Sequence, residues 1–324
     1  MKILITGAYG FVGTNLCRYL VERGHVCDAL DVAAARRDDV PYSSFHTWDE
    51  LEAVRKEDFD AVVHLAGKAH DLKKVASEQS YFDVNVGLTQ KIVESLKSQD
   101  SGSGLKPGFK FIYFSSSKAS ADGNAYGRSK LAAERFLQSG QLNQPHVRTI
   151  ILRPAMIHGP GNKGNLNLLW GIARRGFPWP LAAFENQRSF TSIGNICAAV
   201  EALAAKEIEP SATHHSSLKL HTFSIADDEM LSTNRLIELM AEACGKKPRL
   251  WKLPKGLMCF AARLGDCLHL PLNTERIEKL TEDSFVDNSA LKSYLGWTHM
   301  PIRAEDGMRE TLASFLHAEC RGKR

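Results

Sequence analysis

Apolar runs recur along the first half of the chain at Lys2–Thr6, Val26–Leu30, Ala61–Leu65, Phe109–Ser115 and Thr149–Arg153, with helical spacing between them. Short, continuous apolar runs rich in β-branched residues are the pattern of strands buried on both faces, and their alternation with helices predicts a parallel sheet covered on both sides. After Arg153 the rhythm changes: the chain becomes richer in Pro and Asn, and helical segments stand out at Thr233–Cys244 and Glu305–His317. The expected fold class is α/β, a doubly wound parallel sheet with a smaller, mostly C-terminal lobe. Residues 1–155 are expected to form the sheet domain and 156–324 the lobe, with some of its segments returning to the sheet. DSGSG, Asp100–Gly104, reads as a surface loop. The most apolar late stretch, Gly256–Leu272, contains Arg263 and Asp266 and reads as a packed helix rather than a membrane contact.

The first run leads directly into Gly7, Gly10 and Gly13, spaced G-x-x-G-x-x-G, and a helical pattern follows from Asn15. Strand, glycine turn and helix in this order predict a Rossmann-type dinucleotide site. Gly7 permits the tight turn, Gly10 lets the backbone approach a pyrophosphate, and Gly13 lets the helix pack on its strand. The unpaired amides at the helix start, at Phe11, Val12 and Gly13, favour phosphate charge. Asp31 closes the second run about twenty residues on, where a carboxylate accepts the adenosine ribose hydroxyls and repels a 2′-phosphate. NAD is therefore expected. Arg36 and Arg37 follow closely enough to neutralise such a phosphate, which leaves NADP open.

Composition excludes more than it assigns. A chain of 324 residues with 44% hydrophobic and 24% charged residues is that of an ordinary globular protein large enough for two lobes. A net charge of +4 is too small to argue for nucleic acid. The seven cysteines are scattered with no C-x-x-C, which suits reduced thiols and a cytoplasmic compartment. No apolar leader and no membrane-spanning run is expected. The twelve histidines show no metal-ligand spacing, and the adjacent His214 and His215 cannot share a helix face.

The catalytic signal lies in Phe111–Lys130, where an apolar run delivers Ser115, Ser116 and Ser117, and Tyr126 and Lys130 follow four residues apart. On a helix that spacing places both side chains on one face. A phenol has a pKa near 10, so a phenolate at neutral pH needs about 4 kcal/mol of stabilisation. A neighbouring ammonium and an oxidised nicotinamide ring can supply it. Tyr126 then serves as acid or base while hydride moves, Ser117 hydrogen-bonds the reacting oxygen with Ser116 as second choice, and Lys130 also holds the nicotinamide ribose.

With these motifs in view, the chain resembles an extended short-chain dehydrogenase/reductase of the NAD-dependent epimerase/dehydratase family. The resemblance rests on GAYGFVG (Gly7–Gly13), HLAG (His64–Gly67), Asn85, YGRSK (Tyr126–Lys130), LRPAMIHGPG (Leu152–Gly161), RSFTSIGN with Arg188, and LGW (Leu295–Trp297). It implies that Leu65, Ala66, Gly67, Ser115 and Pro154 line the cofactor and that Ser116 contacts substrate. It further implies that Arg188, with Asn165 and Asn167, grips a nucleotide diphosphate, and that the helices bearing Tyr126 and Asn85 build a homodimer. Dehydratases of the family place Asp-Glu after the serine or threonine, whereas Lys118 and Ala119 follow Ser117, so 4,6-dehydration is not expected. The expected activity is reduction at C4 of a 4-keto-6-deoxy UDP-(N-acetyl)hexosamine for surface-polysaccharide precursors. A UDP-hexose or UDP-N-acetylhexosamine 4-epimerase with recycled NAD is the alternative, and a non-catalytic NAD(P) sensor the second.

Overall fold

The computed structural model describes residues 1–33, 36–55, 58–69, 77–97, 105–142, 147–162, 166–207, 220–268 and 273–321. The Asp100–Gly104 loop, the His214–His215 pair and Asn165 lie outside the described residues. Strands are β1 (Lys2–Thr6), β2 (Val26–Asp31), β3 (Phe45–Thr47), β4 (Ala61–His64), β5 (Lys110–Phe114), β6 (Arg148–Pro154), β7 (Met156–His158), β8 (Phe190–Ser192) and β9 (Leu220–Ile225). Helices in the first half are α1 (Phe11–Glu22), α2 (Leu51–Arg55), α3 (Glu78–Asn85), α4 (Gly87–Lys97) and α5 (Ala125–Gln138). Those that follow are α6 (Leu166–Arg175), α7 (Ile193–Ala205), α8 (Thr233–Ala243), α9 (Lys255–Leu268), α10 (Thr274–Thr281), α11 (Ser289–Leu295) and α12 (Ala304–Arg321).

Seven strands form one parallel sheet in the order β3-β2-β1-β4-β5-β6-β9. Ile3, Leu4 and Ile5 of β1 are fully buried, as a strand covered by helices on both faces requires. Strand β1 pairs with β2 on one side and β4 on the other, with Thr6 opposite both Leu30 and His64. The order reverses there, and ligands of doubly wound sheets sit at such a switch, beyond the strand carboxyl ends. All five strands expected from apolar runs are present. Strand β9 at the sheet edge, the three-residue β3 and the β7–β8 pair were not anticipated, because their short or half-exposed segments carry no continuous apolar run.

Contacts divide the chain into two units. The first comprises Met1–Ala155, Ile196–Ile225 and Asn288–Thr298, and holds the seven-stranded sheet. Its core packs Leu4, Leu30, Val62, Phe111 and Ile151 of the sheet against Ile92 and Ala133 of the helices. The LGW signature is structural here: Gly296, at φ 72°, ends α11 in the left-handed conformation that glycine adopts without strain.

The second unit comprises Met156–Asn195, Ala226–Asp287 and His299–Arg324. Its apolar core joins Trp170, Leu236, Met240, Met258, Met308 and Leu312. A buried polar knot ties its segments together. The Asp227 carboxylate accepts from the Ser192 backbone at 2.9 Å and from Asn195 Nδ2 at 2.7 Å, with His158 Nε2 at 3.5 Å. Asn195 also donates to Ile302 O and accepts from Ile302 N, and His158 Nδ1 meets Thr311 Oγ1 at 2.9 Å. The histidine of LRPAMIHGPG and the Ser and Asn of RSFTSIGN thus serve packing. Helix α9 buries Met258, Ala262 and Gly265 but exposes Leu257, Phe260, Leu264 and Leu268, so the packed-helix expectation holds for one face only.

Replacing Asp227 by Ala leaves at least two buried donors without an acceptor, each costing about 1–3 kcal/mol. The D227A variant is expected to lose about 2–5 kcal/mol of stability by denaturant unfolding.

Candidate active site

The turn after β1 is built by glycine. Gly7 sits at φ 64°, its N–H donates to Leu30 O at 2.9 Å, and a Cβ there would stand 2.8 Å from Ala66 N. A Cβ at Gly13 would stand 2.6 Å from the carbonyl oxygens of Gly7 and Ala8. Gly10 caps α1 with no side-chain hydrogen bond, leaving the first-turn amides of Phe11, Val12 and Gly13 to a ligand. Asp31 ends β2 with its carboxylate fixed by Tyr9 N at 2.9 Å and Val32 N at 2.7 Å. Arg37 is paired with Asp39, at 2.9 Å through Nε, and Arg36 donates to the carbonyls of Tyr42 and Ser43. Arg36 is thus held by backbone carbonyls, while Arg37 lies over the ring of Tyr9, whose backbone N–H fixes Asp31.

The loop after β4 is positioned by a relay buried in the first unit. Ala66 N donates to Thr6 Oγ1 at 3.1 Å, which lies 2.7 Å from His64 Nδ1. On the other side of the ring, Nε2 lies 3.0 Å from Thr89 Oγ1, which donates to Asn85 O at 2.7 Å. Since Thr89 spends its one proton on Asn85 O, it accepts from Nε2–H, and Nδ1 of the neutral ring then accepts from Thr6. His64 is neutral: burial, and the Lys130 charge nearby, push its pKa down to about 3. Asn85 accepts from Lys68 N at 2.8 Å and donates to Ser129 Oγ at 2.8 Å, and that hydroxyl donates to Tyr126 O at 2.9 Å. Asn85 thereby fastens the Leu65–Lys68 loop to α5. Gly67 fits between them only without a side chain, since a Cβ would stand 2.8 Å from Asn85 Oδ1 and 3.0 Å from Lys130 Nζ.

Helix α5 starts at Asn124, whose side chain accepts from Gly127 N at 3.0 Å and sets Tyr126 in the first turn. One turn on, Lys130 is buried and donates to Phe114 O at 2.7 Å, at the end of β5. Burial lowers the Lys130 pKa to about 8, against the raising effect of Glu134. Glu134 is buried and paired with Arg153 of β6, Nε to Oε1 at 2.8 Å, which pins α5 to the sheet. Burial raises the Tyr126 phenol pKa and the neighbouring Ser116 hydroxyl pulls it down. Ser116, rather than Ser117, is the serine beside the phenol. Strand β5 ends at Phe114, Ser115 and Ser116 stay buried, and Ser117 is exposed with its N–H on Pro154 O at 3.0 Å. Ser115 Oγ is buried without a hydrogen-bond partner among the described residues. That orphaned hydroxyl, the uncapped start of α1 and the Gly7–Gly13 cradle fit a dinucleotide.

Arg188 and Asn167 belong to the second unit. Arg188 donates to Lys279 O at 2.9 Å and lies over the Phe190 ring, and burial lowers its pKa. Asn167 donates to Asn162 O at 3.1 Å in the first turn of α6. Thr6, Thr89 and Ser129 were missed as supports. Their signal was a lone hydroxyl at the end of an apolar strand or on a helix otherwise facing the core.

Residues 3–212 match the model of the NAD dependent epimerase/dehydratase family. A UDP-glucose 4-epimerase of Vibrio cholerae is 28% identical over 99% of this chain and 97% of its own. An N-acetyl-α-D-glucosaminyl-diphospho-ditrans,octacis-undecaprenol 4-epimerase of Escherichia coli O157:H7 is 27% identical over 98% and 96%. A UDP-2-acetamido-2,6-β-L-arabino-hexul-4-ose reductase of Pseudomonas aeruginosa is 35% identical over 139 residues, 43% of this chain and 31% of its own. The crystal structure of a Thermus thermophilus UDP-glucose 4-epimerase in complex with NAD superposes with a TM-score of 0.67 at 21% identity, covering 98% of this chain and all of the other.

The neutral state of His64 has a measurable sign. Its folded pKa lies below the unfolded value of about 6.5, so its contribution to stability is complete above that pH and is lost as pH falls toward 3. H64Q is expected to be less stable than the wild type at pH 7.5, with the gap narrowing by up to about 1.4 kcal/mol per unit between pH 6 and 4. Denaturant unfolding across that range measures it, and a gap independent of pH would refute the assignment.

Proposed function

Because the chain belongs to the NAD-dependent epimerase/dehydratase family, we propose that it inverts C4 of a UDP-(N-acetyl)hexosamine. When held by the Gly7–Gly13 turn and Asp31, NAD would supply reversible hydride transfer at that carbon, and return to the opposite face would give the inversion. Tyr126 takes the proton of the C4 hydroxyl and gives it back, and Ser116 holds the same oxygen throughout. The buried Ser116 beside the Tyr126 phenol carries this reading, because a hydroxyl donor and an acid–base group that close would share one reacting oxygen. Lys130 supplies positive charge one turn from the phenol, and this help fades as pH rises through its pKa of about 8. Ser117 and Lys118 follow Ser116, so neither position offers a carboxyl to protonate a leaving C6 hydroxyl.

Recycled NAD is favoured over net reduction by two 4-epimerases that match over nearly their whole length at 28% and 27% identity, whereas a 2-alkyl-3-oxoalkanoate reductase of Stenotrophomonas maltophilia matches over a similar length at 25%. C4 reduction of a 4-keto-6-deoxy sugar is the second reading, favoured by the identity with the Pseudomonas aeruginosa reductase. Arg188, with Asn165 and Asn167, is assigned to the nucleotide diphosphate, because a guanidinium fork matches phosphate oxygens. The helices α3 and α5 are assigned to a homodimer contact.

Incubation with a panel of UDP-hexoses and UDP-N-acetylhexosamines, with no added cofactor, is expected to give the C4 epimer at constant NAD content. Y126F and S116A should lower kcat by about 10²–10⁴-fold, while S117A stays within a few-fold. Turnover only of a 4-keto sugar, with stoichiometric loss of added NAD(P)H, would establish the reductase instead. Wild-type activity in Y126F would leave a non-catalytic NAD sensor.

A further inference from the structure

The second unit carries a surface that the reaction does not use. Along α9, Leu257, Phe260, Leu264 and Leu268 recur at spacings of three, four and four and are 54%, 61%, 47% and 66% exposed. That spacing draws one apolar stripe along one side of the helix, while Met258 and Ala262 on the opposite side enter the core. Arg263 is exposed about 60° around the helix from Phe260. Just before α9, Trp251 is 53% exposed, on a segment whose backbone is fixed by Trp251 N to Trp179 O at 2.8 Å and Trp179 N to Arg249 O at 2.8 Å.

Charge identifies the occupant. Residues 246–265 contain six cations, Lys246, Lys247, Arg249, Lys252, Lys255 and Arg263, and no acid, against a net charge of +4 for the whole chain. All six are exposed. Glu185 approaches Lys252 Nζ at 3.9 Å, but both side chains are more than two-thirds exposed and such a pair is worth little in water. Asp266, the first acid to follow, is engaged by Thr274, whose N–H donates to it at 3.1 Å. A second copy of this chain would set six cations against the same six. Nucleic acid would use the cations and leave the apolar stripe in water. An anionic lipid surface satisfies both, because its headgroups take the cations and its acyl boundary takes the Leu and Phe side chains.

We propose that α9 and the basic segment before it dock this protein peripherally on an anionic phospholipid bilayer, with α9 lying in the plane of the interface. No helix among the described residues is long and apolar enough to cross a membrane, so the contact is one of lying on rather than spanning. This inference is independent of the reaction proposed above. The purified full chain is expected to co-sediment with vesicles of phosphatidylcholine mixed with phosphatidylglycerol at least about tenfold more strongly than with phosphatidylcholine alone, and to be released by high salt. F260S/L264S should weaken that binding by about tenfold or more, and R249E/K252E should do the same, both with wild-type melting temperature and NAD binding. If the apolar variant fails to fold, the charge variant, which leaves every core residue in place, decides alone. Equal binding to both vesicle types, or binding unchanged in the folded variants, overturns the proposal. Failure to bind vesicles together with a halved solution mass in F260S/L264S overturns it in favour of a self-interface.

Discussion

The hydroxyl–imidazole relay from Thr6 through His64 to Thr89 is the constraint on which the candidate site depends. Two parallel strands end at the same register, with Thr6 opposite His64. Each would bury an unsatisfied polar group if the other were apolar, and an orphaned buried donor costs about 1–3 kcal/mol. Paired, they do more than cancel that cost. Thr6 reaches forward to Ala66 N and Thr89 reaches back to Asn85 O, so one neutral ring sets both the loop after β4 and the end of α3. Asn85 continues the chain of contacts to Ser129 and the backbone of Tyr126. The glycine turn, whose Gly7 stands against Ala66, and the helix carrying Tyr126 are thereby held in one frame.

Burial then sets the chemistry of that frame. Lys130 sits where solvent cannot stabilise its charge, and its pKa falls to about 8; Tyr126 experiences the same environment and its pKa rises. Both shifts oppose an ammonium–phenolate pair. What favours the pair is local: the Ser116 hydroxyl on the phenol and the Glu134 carboxylate one turn beyond Lys130. Glu134 is itself buried against Arg153, so the carboxylate that sustains the Lys130 charge also anchors α5 to β6. Fixing the helix and tuning its ammonium are done by one side chain, and its position is set by packing rather than by the reaction.

The parts of this arrangement legible in the sequence are those where backbone geometry leaves one residue type. Gly7 and Gly13 are of that kind, as a Cβ at either meets backbone at 2.6–2.8 Å. The central strands are legible for a similar reason, since burial on both faces demands continuous apolar runs. Strand β9 was missed because an edge strand with half-exposed His221 and Ser224 has no such run. The choice between Ser116 and Ser117 turns on where β5 ends, and strand ends are uncertain by a residue or two from pattern alone. A shift of one residue reverses which serine faces inward. The role of His64 is not legible in the sequence, because its partners lie 58 and 25 residues away and meet it only through the sheet and α4.

Helix α9 shows the opposite limit. Its apolar content suggests a packed helix, yet its contacts account for a single face: Met258 and Ala262 enter the core, and four large side chains stand outside it. Folding does not require those four to be apolar, since polar residues at exposed helical positions would cost little and would lower the hazard of aggregation. Among the cations that precede them, Lys246 donates to Arg174 O and Lys255 lies over the Phe184 ring, but Lys252 meets only the exposed Glu185 among the described residues, and the like charges repel one another. A segment that carries both exposed apolar surface and unbalanced charge gains stability from neither. The combination is explained by what the surface meets, and an interface that is anionic in its headgroups and apolar a few ångströms below them is the environment in which both features become favourable.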